Sequence, residues 1–210
     1  MPDLATPDLA TPDLATILAE LAGLPRRTVP ELRRLARKAG RDQSLAEQLW
    51  DANTPSSRVL ASMIGEPAKI SRATMDRWAA DFDSWWLCDS CSYDLFDRTP
   101  HAWPKIRKYA KDEREFVRRA AFAMIAGITI HDKAAPDEVF LEALPLIEAY
   151  AYDGRNFVRK GVNWALRNIG KRNPALRLAA MDCARRAHAQ GTSSAKWIAS
   201  DALRELKNRG

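Results

Sequence analysis

The chain has 210 residues and a net charge of +6, a length that suits one domain with a substantial core. Hydrophobic residues make up 46% and charged residues 29%, an ordinary soluble composition, and no apolar run approaches the roughly 20 residues of a membrane span. Nine glycines and few strand-like alternations favour helix.

The N-terminus repeats Pro-Asp-Leu-Ala-Thr three times, at Pro2–Thr6, Pro7–Thr11 and Pro12–Thr16. Each proline interrupts the unit before it, and only the last copy runs into a periodic stretch, Ile17, Leu18, Leu21, Leu24. Residues 1–11 are therefore expected to be loosely ordered low-complexity sequence, and residues 12–210 a single domain. Helices are predicted over roughly 13–24, 29–39, 43–51, 55–64, 71–82, 84–96, 101–110, 112–129, 136–151, 154–172, 174–189 and 192–208. Thr28 with Pro30 and Glu31, Thr54-Pro55, Pro136-Asp137 and Asn173-Pro174 mark helix starts.

Within this run one block recurs. Arg114-Glu115-Phe116-Val117-Arg118-Arg119-Ala120 aligns with Arg155-Asn156-Phe157-Val158-Arg159-Lys160-Gly161 at an offset of 41 residues, and Asp112 matches Asp153. A weaker copy follows at Lys196-Trp197-Ile198-Ala199. That period belongs to HEAT or armadillo repeats, so the expected fold is an all-α solenoid of antiparallel helical pairs with one continuous concave face.

The charge is uneven. Residues 101–210 carry 21 Lys and Arg against 12 Asp and Glu, whereas the first hundred carry 12 against 15. A basic half suggests a polyanion such as nucleic acid; solvated helix faces are the alternative. The repeat sets Arg118 and Arg119 in register with Arg159 and Lys160, and Arg167, Lys171, Arg172 and Lys196 extend the expected phosphate-binding stripe, as could Lys105, Lys108 and Lys111. Such contacts position a duplex without reading its bases.

Three cysteines, Cys88, Cys91 and Cys183, form an odd set without a signal peptide, which reads as a reduced, cytoplasmic protein. Cys88 and Cys91 lack the second pair a zinc site needs, and His101, His131 and His188 are scattered, so no metal site is assigned. They read as surface or helix-end residues.

Three further places in the chain invite chemical readings. Asp89 follows Trp85 by four residues and shares its helix face; a carboxylate stabilises developing positive charge and an indole attracts cations. Trp86 is the other indole within reach, and core packing is the competing reading for both. Trp164 stands where the preceding repeat has Ala123, as a stacking surface or a gap filler. Arg119, beside Arg118, points elsewhere than its neighbour.

From about Met75 to Leu206 the chain resembles the AlkD-type DNA alkylation-repair glycosylases, which are built from HEAT-like repeats. The resemblance is carried by Ser84-Trp85-Trp86, Asp89-Ser90, Phe116 to Ala121, Phe157 to Arg167 and Lys171-Arg172-Asn173-Pro174, in that order. It implies excision of cationic N3- and N7-alkylated purines from double-stranded DNA, without metal or organic cofactor and without drawing the lesion into a snug pocket. It also implies Asp89 as the catalytic carboxylate, Trp85 and Trp164 as cleft walls, Arg119 as a cleft arginine and Arg167 as a further contact. The expected partner is alkylated duplex DNA, no membrane, with the protein a monomer. The first 70 residues match this pattern poorly, which leaves a non-catalytic DNA-binding relative and a protein-binding HEAT adaptor as the other readings.

Overall fold

Helix starts carry the side-chain acceptors that their first turns require. Before α2 (Val29–Ala39), the Glu31 carboxylate accepts the backbone N–H and hydroxyl of Thr28. Before α4 (Pro55–Ile64), Thr54 and Ser57 cap one another. Asn173 accepts the Leu176 N–H at the start of α11 (Pro174–Ala189), with Pro174 in the first turn.

A computed structural model describes residues 13–208, so the expectation for residues 1–11 lies outside the described residues. Among the described residues there are twelve α-helices, one short 3-10 turn and no strand. The remaining helices are α1 (Leu14–Ala22), α3 (Gln43–Asp51), α5 (Arg72–Ala80), α6 (Trp85–Asp94), α7 (Ala102–Tyr109), α8 (Glu115–His131), α9 (Asp137–Tyr150), α10 (Asn156–Gly170) and α12 (Ser193–Lys207). The helix expected over 84–96 stops at Asp94; Leu95 leaves helical backbone, and Phe96–Arg98 form the 3-10 turn. None of the helices is long and apolar enough to cross a membrane.

The chain divides into two compact units after Glu66, where the sequence suggests one domain. In the first, α4 packs on α2 and α3 around Leu32, Leu49, Leu60 and Ile64. In the second, α6, α8, α10 and α12 form a row, each against the next. Helices α9 and α11 pack on each other behind that row, and α7 packs on α8. Val117, Phe122, Val158, Leu166 and Ile198 fill the row's interior.

The 41-residue period becomes a set of inter-helix bonds. Phe116 and Phe157 meet with ring centroids 5.2 Å apart. Asp112 accepts the Arg114 N–H at 3.0 Å, and one period later Asp153 accepts the Arg155 N–H at 3.1 Å. Arg118 then reaches out from α8 to Asp153 at 2.6 Å, while its Nε donates to the Ala110 carbonyl at 3.0 Å. Both side chains of that pair are largely buried.

Burial by itself raises the Asp153 carboxyl, but the Arg155 and Arg118 guanidinia bring it down to about 2. The unfolded chain takes up this proton near pH 4, before the folded chain does. The pair's contribution is therefore complete above about pH 4 and is lost as the pH falls towards 2. Asp153→Asn leaves Arg118 buried without its carboxylate and should cost about 3 kcal/mol in urea denaturation at pH 7. The difference between variant and wild type should shrink through that acid window; a constant difference would contradict the ion-pair account.

Candidate functional site

Ser84 caps α6, its hydroxyl accepting the Leu87 N–H. Helical spacing then sets Trp85, Asp89 and Tyr93 on one face, each a turn apart. Trp85 is 52% exposed, whereas Trp86 is half-buried. The exposed indole is thus the one that shares the face of Asp89.

Asp89 meets Arg119 of α8 in a two-point ion pair. Arg119 Nε donates to Oδ1 and Nη2 to Oδ2, both at 2.7 Å. Its Nη1 donates to the Phe157 carbonyl of α10 at 2.6 Å. One guanidinium therefore ties together α6, α8 and α10. Burial opposes the charge of Arg119, yet the hydrogen bonds and charge of Asp89 carry its pKa above the ordinary arginine value. The Asp89 side chain keeps 22% of its surface exposed against 9% for Arg119. A carboxylate has about four acceptor sites, and Arg119 occupies one on each oxygen. Acceptor capacity on each oxygen is left beyond the two Arg119 bonds.

Trp164 joins the face one turn past Asp89. It is half-buried on α10 and stacks on Tyr93, with centroids 6.1 Å apart and planes 20° apart. Tyr93 in turn meets the His131 ring edge-on at 4.3 Å. His131 Nδ1 lies 2.6 Å from Asp97 Oδ2, and Arg98 Nη2 lies 3.0 Å from His131 Nε2. Asp97 fits because residue 127 is glycine: a Cβ there would stand 2.1 Å from Oδ2. This backing of Trp164 by Tyr93, His131 and Asp97 is absent from the sequence reading. The one available signal was the spacing of Tyr93, four residues after Asp89 and eight after Trp85.

The expected basic stripe divides. Arg118 is consumed by Asp153, Ala110 and the face of the Tyr150 ring. Arg172 donates to the carbonyls of Thr129, Asp132 and Ala135 and lies over Phe140, closing the end of α8. Arg167 pairs with Asp201 and Glu205, and Lys171 with Glu205. Lys105 is buried against Asp76 and the Arg72 carbonyl. Periodicity located these cations, but their neighbours bind them internally. Lys160 and Lys196 are exposed and make no ion pair with a described residue, and Arg159 lies half-buried over Trp197.

Cys88 and Cys91 are buried, and Cys88 Sγ donates to the Phe116 carbonyl at 3.1 Å. Burial pushes the Cys88 thiol well above its ordinary pKa, which disfavours the reactive thiolate. Among the described residues no His, Cys, Asp or Glu cluster is placed to hold a metal.

A family model described as DNA alkylation repair enzyme matches residues 27–206. No curated protein matches the chain. One solved structure, described as belonging to a new family of proteins related to the HEAT-like repeat DNA glycosylases with affinity for branched DNA structures, aligns with a TM-score of 0.72. It is 17% identical, with 83% of each chain covered. At that identity the likeness is one of fold, and it bears out the all-α, HEAT-like expectation.

The Asp97 carboxyl is raised to about 8, chiefly by burial, with Arg98 opposing and Asp94 adding to the rise. A carboxyl raised above its unfolded value near 4 holds its proton more tightly in the folded state, so stability falls as the pH rises from about 4 to about 8. The thermal midpoint of the wild type should drop between pH 5 and pH 8, and Asp97→Asn should flatten that drop. Parallel curves for the two proteins would overturn the assignment.

Proposed function

The chain belongs to the DNA alkylation repair enzyme family, and on that premise we propose that it is a DNA glycosylase releasing cationic N3- and N7-alkylated purines from duplex DNA. The observation that carries this reading is the carboxylate of Asp89, oriented by Arg119 at two points and set between the exposed Trp85 and the Tyr93–Trp164 stack.

The chemistry asks little of the protein. When the bond from C1′ to an alkylpurine breaks, its electron pair moves onto the base and neutralises the positive charge. The sugar is left as an oxocarbenium-like cation. Asp89 stabilises that cation electrostatically and orients the water that adds at C1′ and gives up a proton. Two bonds from Arg119 hold the carboxylate's direction, so little reorganisation is needed at the transition state. Such a site suits a cationic substrate, whose leaving group departs as a neutral base without needing a proton.

The indoles complete the site. Trp85 offers an open face to the sugar and the cationic lesion. Trp164, backed by Tyr93, forms the opposite wall. Selectivity then follows from the lability of the lesion rather than from a closed pocket.

A second reading draws on the same ion pair: with its carboxylate matched by Arg119, the face serves as a DNA-binding surface without base release. The affinity for branched DNA attributed to the family of the structural neighbour favours it.

Release of 7-methylguanine from methylated duplex separates the two. The wild type should release it, and Asp89→Asn should slow release by a factor on the order of 100 or more, with duplex affinity within about threefold of wild type. Salt-dependent binding of duplex or four-way junctions with no base release would establish the second reading. Efficient release of uracil, a neutral lesion, would overturn the proposed mechanism.

A further inference from the structure

Arg118 and Arg159 occupy the same position in successive repeats, yet their surroundings differ. Arg118 has two anchors, the Ala110 carbonyl on Nε and the Asp153 carboxylate on Nη1. One period after Asp153 stands Ser194, which has no charge to offer. Its hydroxyl is committed elsewhere, donating to the Asp153 carbonyl at 2.8 Å. The Nε of Arg159 is buried with no acceptor among the described residues. What Arg159 keeps is the ring of Trp197, with its guanidinium carbon 4.9 Å from the centroid.

An arginine that stitches one repeat to the next has therefore lost both stitches. Its charge persists, because a guanidinium does not deprotonate in a protein. Lys160 follows it directly on α10, and Lys196 adjoins Trp197 on α12; both are exposed and make no ion pair with a described residue. Three cations on two adjacent helices thus stand without a carboxylate among the described residues, and the indole under Arg159 is 37% exposed.

We infer that Arg159, with Lys160 and Lys196, forms a subsite for a DNA backbone phosphate, the phosphodiester taking the place of the carboxylate missing at Ser194. The planar fork of a guanidinium matches two phosphate oxygens, as it matches two carboxylate oxygens at Asp89. Trp197 holds the guanidinium plane, so little side-chain entropy is lost on binding. This assignment rests on the DNA-binding half of the reading above and is independent of base release.

The test is equilibrium binding of an unmodified duplex across a series of KCl concentrations. Arg159→Gln should weaken binding about 5- to 10-fold near 100 mM salt. It should also reduce the slope of log K against log salt by about one. Ser194→Asp restores the missing carboxylate and should produce the same losses while every cation remains in place. Arg185→Gln, on α11, should bind as the wild type does. If Ser194→Asp is unfolded by circular dichroism, Arg159→Lys decides, since it keeps the charge and should keep most of the slope that Arg159→Gln loses. Wild-type affinity and slope in Arg159→Gln would overturn the subsite while leaving the DNA-binding reading intact. A wild type that binds no duplex at low salt would overturn both.

Discussion

A charged group taken out of water must find its counter-charge inside the protein, or the fold does not close over it. Arg119 meets that demand with two bonds to Asp89 and a third to the Phe157 carbonyl. The order of helices follows from it: α6 supplies the acid, α8 the base and α10 the backbone oxygen. A residue that would pass as a surface arginine in the sequence is a fastening point for three helices. The carboxylate proposed to act on the substrate is the same one that fastens them, so the geometry of the face and the integrity of the packing are one property.

Much of the architecture was legible beforehand. Caps at Thr28, Thr54 and Asn173 marked helix starts, and apolar periodicity marked their lengths, because both depend on neighbours a few residues away. The 41-residue offset exposed the repeat, and with it the equivalence of Arg118 with Arg159 and of Asp112 with Asp153. The partners of those arginines were not legible. A period says where a side chain recurs, not what faces it, and a row of cations for a polyanion looks the same in sequence as a row of inter-repeat ion pairs. Arg118 and Arg167 proved to be of the second kind, and Arg172 is held by backbone carbonyls. Asp89, Trp85 and Trp164 were singled out by spacing and family resemblance. Tyr93 and His131 were not, because their meeting depends on a kink at Leu95 and on the room left by Gly127.

The aromatic side of the face shows how a repeat is modified locally. Where the preceding repeat has the buried Ala123, Trp164 introduces a large ring. That ring is accommodated because α6 ends early, and the 3-10 turn brings Asp97 beneath His131, which then supports Tyr93. The aromatic cluster is thus added to a regular scaffold at one irregular point, where local backbone departs from the repeat.

The three-way tie made by Arg119 also bears on how long the face survives in a fluctuating protein. Repeat arrays open by separation of neighbouring units, one interface at a time. A site held within a single helix outlasts the fraying of its neighbours. This one spans two successive interfaces, α6 with α8 and α8 with α10, and either opening dismantles it. Its lifetime is set by the weaker interface, so substitutions far from Asp89 that loosen the packing of α6 or α10 act on the site without touching it.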